Sequence, residues 1–354
     1  MSLTIKTGLV FKASFLFVVF TFSFVVSSCA REKSLEAIYI NGPTMGTSYN
    51  ITLVSPPESI QQASLKQNID ELLKAVNQEM STYIVNSDIM QFNQKSSGAS
   101  QKINDDFLQV LLLSQSISEL TDGYFDITIG PLVELWGFGR NQKQQVPSAE
   151  AINEAKSRVG WQYLSIDSEN KTIQKQRPIW LDVSAVAKGK AVDKVAELLE
   201  TKGVQHFLVE IGGEMRVKGF NRQQQLWRVG IEAPSLLQKQ AQQLVQFTDK
   251  AIATSGDYRN YFEENGKRFS HTIDPNTGMP IRHNIASVTV IADTAARADA
   301  LATALNVLGE EAALALANKE QLAAYFIFYD DTQSEENSSG YRIVYTNSFK
   351  QFIQ

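Results

Sequence analysis

Between positions 287 and 309 the chain reads SVTVIADTAARADALATALNVLG, an order that makes a strand delivered through a short turn into a helix. Residues 287–291 alternate Val with smaller side chains as a strand does. Asp293 or Thr294 can cap the helix that follows, and Gly309 ends it after Leu308. Within that helix Asp299 and Thr303 are four residues apart, so a carboxylate and a hydroxyl share one face among alanines too small to screen them. Such a hard-oxygen pair suits Mg²⁺ rather than zinc; the same pair on a plain solvated face would carry no chemistry.

At the other end, Lys6 and Lys12 precede FLFVVFTFSFVV at 15–26, a run too short to span a bilayer, followed by Ser27, Ser28 and Cys29. This is the pattern of an export signal. Its last residues are similar to the bacterial lipoprotein cleavage box, with Val26 where Leu is more usual, which makes Cys29 the expected lipidated first residue of the mature chain. The expected organisation is a signal over 1–28, a lipidated tether over 29–34 and a folded unit over 35–354. Ala30 is not the Asp associated with inner-membrane retention in enteric bacteria. Cys29 is the single cysteine, so an internal disulfide, a thiolate zinc site and a cysteine-ligated iron–sulfur cluster are excluded. Loss of Lys6 and Lys12 deepens an acidic balance of 38 Asp and Glu against 33 Lys and Arg. No basic footprint for nucleic acid remains.

Along the chain, strands are expected at 35–40 and 49–54 around a Gly-shaped loop, 41–47, that serves either a hairpin or a ligand. Residues 60–80 carry Leu65, Ile69, Leu72, Leu73 and Val76 at helical spacing, a core stripe, and further helices are expected from Ser87-Asp88, over 105–120 and over 148–159. Residues 124–140 interleave aromatics with glycine, which fits a wall against a flat ligand or ordinary core. Strands are expected at 163–166, 172–175 and 179–183. The segment 182–190 then opens a helix with small residues, a setting in which backbone N–H groups and Lys188 can meet an anion, although the glycine spacing of a P-loop is missing.

Residues 206–211, 214–218 and 227–231 read as strands of one antiparallel sheet, 238–246 as a loop, and 258–262 with 268–273 as a hairpin turned by Asn265-Gly266. His271, just ahead of Asp274-Pro275, is either an acid–base group or a hydrogen-bonded ring in a strand. Strands at 323–329 and 341–345 finish a mixed α+β chain with largely antiparallel sheets flanked by helices.

Read together, the segments Thr44-Met45-Gly46-Thr47, Met80-Ser81-Thr82-Tyr83, Phe125-Asp126-Ile127-Thr128, Leu135-Trp136-Gly137-Phe138-Gly139, residues 182–193, Ile211-Gly212-Gly213-Glu214, Ser270-His271-Thr272-Ile273-Asp274-Pro275 and Ala298-Asp299-Ala300-Leu301-Ala302-Thr303 resemble the ApbE flavin transferase family, the FAD:protein FMN transferases. The resemblance spans nearly all of the mature chain. It implies a T-fold-like architecture and a Mg²⁺-dependent enzyme that splits FAD between its phosphates and joins FMN to a Thr or Ser of an exported or membrane redox protein, releasing AMP. It also implies metal ligation by Asp299, Thr303 and the main-chain carbonyl of Ala185, and contacts to FAD from Met45, Tyr83, Tyr124, Phe125, Asp126, Asp182, Lys188 and Ile273. A periplasmic, lipid-anchored location, with the inner membrane favoured, follows from the same resemblance.

A hydroxyl nucleophile needs a base to accept its proton, and His271 is the candidate, with Asp274 or a metal-held carboxylate as alternatives. Water in place of the acceptor would make the chain an FAD pyrophosphatase. Binding without turnover would make it a lipid-anchored flavin carrier.

Overall fold

Along Thr47–Val54 every second side chain, Tyr49, Ile51 and Leu53, is buried, the period of two that makes a strand with one core face. The computed structural model describes residues 35–234, 241–256, 260–330 and 340–354. The export signal, Cys29 and the tether to residue 34 lie outside the described residues, as do 238–240 of the expected loop and 258–259 of the expected hairpin. Among the described residues no helix is long and apolar enough to cross a membrane.

The chain opens with β1 (Ala37–Thr44) and β2 (Thr47–Val54), then α1 (Gln62–Met80), α2 (Asp88–Gln94), β3 (Ser100–Lys102), α3 (Asp105–Leu120), α4 (Gly130–Leu135) and α5 (Ala149–Lys156). It continues through β4 (Leu164–Asp167), β5 (Thr172–Lys175), α6 (Ser184–Thr201), β6 (Phe207–Ile211), β7 (Glu214–Lys218), β8 (Trp227–Glu232) and β9 (Ala241–Phe247). The last part holds β10 (Lys250–Gly256), β11 (Tyr261–Glu264), β12 (Lys267–Ser270), β13 (Ile285–Ala292), α7 (Ala295–Leu308), α8 (Glu310–Lys319), β14 (Ala323–Tyr329), β15 (Tyr341–Tyr345) and α9 (Asn347–Lys350).

Eight strands form an antiparallel sheet in the order β1-β2-β6-β7-β10-β13-β14-β15. Strand β14 reads as an unbroken apolar run because both faces are covered: Phe326 and Phe328 join the core under the helices, while Tyr325 and Ile327 join a second core under β8, β9 and α9. Helix α7 is buried nearly all round, and its alanines let it lie close between α6 and the sheet. A third, aromatic cluster of Trp136, Phe262 and Phe269 packs with Leu132 and Ile152 beside the β11–β12 hairpin.

Several sequence expectations change here. The loop 41–47 is mostly strand, with only Met45 and Gly46 turning the hairpin at φ 48° and 73°, the paired positive angles of a two-residue turn. β8 leaves the main sheet to pair with β9, and the Gln-rich stretch expected as a loop supplies that strand, since Val245 and Phe247 alternate inward behind the glutamines. Residues 179–183 form no ladder. Trp180 makes an isolated parallel bridge with Ile129, Asp182 N–H donates to the Ile127 carbonyl (2.7 Å), and Asn93 of α2 donates to the Leu181 carbonyl (2.9 Å) and accepts the Leu181 N–H (2.7 Å), so a side chain satisfies Leu181 between them.

Candidate active site

The site is built where α6 meets α7. A Cβ on Gly189 would lie 2.3 Å from the Ala295 carbonyl oxygen, so only glycine allows the two helices this close. One turn on, Asp193 accepts the N–H groups of Ala295 and Ala296 (2.9 Å each) and a 3.0 Å bond from Arg216, capping α7 from its neighbour. Thr294 caps the same helix from within, accepting from Arg297 N. These contacts hold Asp299 against the start of α6, where Gly189 N–H donates to its Oδ2 at 3.1 Å. In a regular helix that N–H bonds the carbonyl of residue 185. The Asp299 carboxylate thus reaches the turn to which the Ala185 carbonyl belongs.

Lys188 completes a buried charge group. Its Nζ is 2.5 Å from Glu214 Oε1 and 3.9 Å from Asp299 Oδ2, with a third of the side chain exposed. Glu214 enters at the start of β7, behind the Gly212–Gly213 turn, and its Oε2 is buried with no hydrogen-bond partner among the described residues. Burial, then the Asp299 charge, pushes Glu214 up to about 7 against the pull of Lys188. Burial also raises Asp299, offset in part by Lys188 and the Gly189 N–H. For Lys188, burial favours the neutral amine, but the two carboxylates outweigh it and hold the ammonium above the ordinary lysine range. The β1–β2 tip closes this side: Gly212 N–H donates to the Ser48 carbonyl (3.2 Å), and both Thr47 and Lys188 lie against Gly212.

Facing it is an aromatic wall. Tyr83, 54% exposed, donates its hydroxyl to the Phe138 carbonyl at 3.3 Å. Burial, then the charges of Asp182 and Glu134, raises its pKa, which places the phenol within electrostatic reach of the start of α6. The Phe138 ring meets His271 edge-on at 6.4 Å and Phe262 at 5.6 Å. His271 Nδ1 lies 2.8 Å from the Asn260 carbonyl, which can only accept. The proton of that bond therefore sits on Nδ1. Asp274 is occupied otherwise, its Oδ1 accepting Asn276 N–H within a turn whose Gly278 carbonyl takes the Trp136 indole N–H.

With this geometry in place, the sequence model of the ApbE family matches residues 45–326. The chain belongs to the ApbE family. It is 42% identical over 324 residues to the FAD:protein FMN transferase of Vibrio cholerae serotype O1, covering 91% of this chain and 94% of that protein. The Escherichia coli K12 protein of the same name is 40% identical over 302 residues, 84% of this chain and 86% of its own. Among solved structures, the flavin transferase ApbE from Vibrio cholerae has a TM-score of 0.81 at 40% identity, covering 90% of this chain and 99% of that one. The apo flavinyl transferase ApbE of Pseudomonas stutzeri also gives 0.81, at 38% identity over 90% and 97% of the two chains.

Against this ApbE site the remaining candidates fall into two kinds. Lys188 and Asp299 belong to the charged group, the half-buried Thr303 lies one turn along α7 from Asp299, and Asp182 stands just before α6. Asp182 accepts the Ser184 N–H (2.9 Å) and hydroxyl at the head of α6; burial, the first cause, holds its carboxyl above the usual range. Met45 is half-buried at the hairpin tip and Tyr124 half-buried before the wall. Phe125, Asp126 and Ile273 are buried side chains. Asp126 spends both oxygens on Thr128 and on Trp161 N–H, so these three can meet a ligand chiefly through their main chain. Glu214 was missed as a site residue, although its place after two glycines that permit close backbone approach was a usable signal.

Among the described residues no three His, Cys, Asp or Glu side chains gather as a metal site. The donors at hand are Asp299, the Thr303 hydroxyl and the Ala185 carbonyl, a hard-oxygen set, and the orphaned Glu214 oxygen beside them leaves acidic charge for a cation to balance.

Proposed function

We propose that this chain transfers the FMN half of FAD to a Thr or Ser hydroxyl of an exported redox protein and releases AMP. The observation that carries the reading is the buried group of Lys188, Glu214 and Asp299 at the head of α6; the aromatic wall that holds His271 against Phe138 is the proposal's second part. The flavin ring finds exposed aromatic surface at Tyr83. The diphosphate finds the Lys188 ammonium and the N-terminal end of α6, which favours anions.

The acceptor hydroxyl forms a new bond to the FMN phosphorus while the bond from that phosphorus to the bridging oxygen breaks. AMP departs with the bridging oxygen. His271 Nε2 accepts the hydroxyl proton, and the Asn260 carbonyl orients the ring through Nδ1. Mg²⁺ belongs to the proposal: held by Asp299, Thr303 and the Ala185 carbonyl, it would neutralise charge on the diphosphate as AMP leaves.

The location is proposed on the sequence pattern and the family resemblance: removal of 1–28, lipid on Cys29, and a periplasmic site on the inner membrane. Mass spectrometry of a candidate redox subunit incubated with this protein, FAD and Mg²⁺ tests the reaction. A gain equal to FMN with AMP in solution is expected. Free FMN and AMP with an unmodified subunit would instead identify a pyrophosphatase, and tight FAD binding without AMP a flavin carrier.

A further inference from the structure

The described chain begins bound to one loop. Leu35 N–H donates to the Arg222 carbonyl (2.9 Å), the Leu35 carbonyl accepts from Arg222 Nε (3.0 Å), and Arg222 also reaches the Tyr39 hydroxyl (3.3 Å). The loop, residues 219–226 between β7 and β8, is braced rather than slack. Asn221 donates to the Leu226 carbonyl (2.9 Å) and accepts the N–H groups of Gln223 (2.9 Å) and Gln225 (3.1 Å). Yet it turns apolar surface outward: Phe220 is 45% and Leu226 39% exposed, beside Tyr39 at 53%.

Sheet register places this surface at the end opposite to the site. Ala37 pairs with Val54, Leu53 with Phe207 and Phe207 with Lys218 at the loop end, whereas Tyr49, Ile211 and Glu214 align toward the site. The eight residues of β1 separate the two ends by about 25 Å at ~3.3 Å per residue.

We infer that this end is a membrane face, with Phe220, Leu226 and Tyr39 resting in the headgroup layer of a phospholipid bilayer. The inference rests on the lipidated Cys29 of the proposed function. From Cys29 only six residues, 29–34, lead to Leu35, a reach of about 20 Å even when fully extended. A lipid at that point holds Leu35, and the loop bonded to it, next to the bilayer. An aromatic hydroxyl beside an arginine, with a Phe and a Leu, is the mixed apolar and polar chemistry that suits the interface. The active site then faces away from the lipid, toward acceptor segments standing clear of the membrane surface.

The test uses the mature full chain on vesicles of phosphatidylethanolamine and phosphatidylglycerol that carry a headgroup-attached quencher lipid. A dye is placed through Gln224→Cys in the loop or through Ser48→Cys at the far end of β2, Cys29 being blocked by its lipid. Quenching at 224 is expected to exceed that at 48 several-fold, and Phe220→Ser with Leu226→Ser should reduce the excess while FMN transfer to a soluble acceptor continues unchanged. Equal quenching at the two positions, or stronger quenching at 48, overturns the membrane face. Intact mass separates the two ideas. A chain without acyl mass sinks the anchor reading, and the face then stands only if simple mixing with vesicles still quenches the 224 dye; no quenching there overturns it as well.

Discussion

Gly189→Ala should separate the two helices that build the site. Its Cβ would arrive 2.3 Å from the Ala295 carbonyl oxygen, 2.5 Å from that carbonyl carbon and 2.7 Å from Ala296 Cα, all backbone atoms with no rotamer to yield. Relief requires α6 and α7 to part by roughly 1 Å, and overpacking of this kind costs about 1–3 kcal/mol. The gain in helix propensity from Gly to Ala returns about 1 kcal/mol. Parting the helices also lengthens the bond from Gly189 N–H to Asp299, and a hydrogen bond to a charged group is worth about 1.5–3 kcal/mol. A net loss of about 2 kcal/mol corresponds to a fall in Tm of roughly 3 °C in a chain of this size. Activity should suffer more than stability, because a displacement near 1 Å of the Asp299 turn costs on the order of 10²-fold in rate. Thermal unfolding with a steady-state assay of FMN transfer reads both quantities. A variant with unchanged Tm and unchanged kcat/KM would refute the claim that this helix contact positions the site.

His271→Ala should leave FAD affinity intact, measured by flavin fluorescence, and slow transfer by about 10²–10⁴-fold as expected for loss of a general base; transfer at the parental rate would remove His271 from the mechanism. Glu214→Gln keeps a hydrogen-bonding partner for Lys188 but removes its charge, so the ammonium should turn toward Asp299, and Mg²⁺ affinity of the FAD-free protein by calorimetry should fall about tenfold, the equivalent of 1.4 kcal/mol. Unchanged or tighter binding would show that Glu214 does not hold Lys188 away from Asp299.

Lys175 is buried, with its Nζ bonded to the Asn93 (2.8 Å) and Ile179 (3.3 Å) carbonyls, and burial lowers its pKa from 10.5. The unfolded chain then binds more protons than the folded one between the lowered value and 10.5, so this group makes stability rise with pH across that window. Comparing urea unfolding of wild type and Lys175→Met at neutral and alkaline pH should show that contribution missing from the variant; identical slopes would contradict it.

The helices were legible because their apolar spacing is local. Residues 105–120 form α3 with those bounds, and Ser148 caps α5 as its position ahead of an apolar pattern suggested. β9 was not legible, because its glutamines obscure the inward Val245 and Phe247 and its partner β8 was free by pattern to join either sheet. Residues 179–183 have strand composition, but Leu181 is answered by the Asn93 side chain of α2 and its neighbours by the backbone at 127–129, partners that lie far away along the chain. Phe125 and Trp136 could have lined a ligand wall or filled a core, and both are core, while Tyr83 and Phe138 stay at the surface of the wall.

Residue order alone determined that Asp299 and Thr303 share a helix face, because a helix repeats every 3.6 residues wherever it lies. That β1 and β2 run on through 41–47 and turn only at Met45-Gly46 was decided by the fold, since their pairing continues to Thr44 and Thr47. What faces Asp299 was decided only in three dimensions. Gly189, Lys188 and Glu214 reach it from 110, 111 and 85 residues away through a helix crossing and a strand start, and no periodicity relates charges held together by packing between elements.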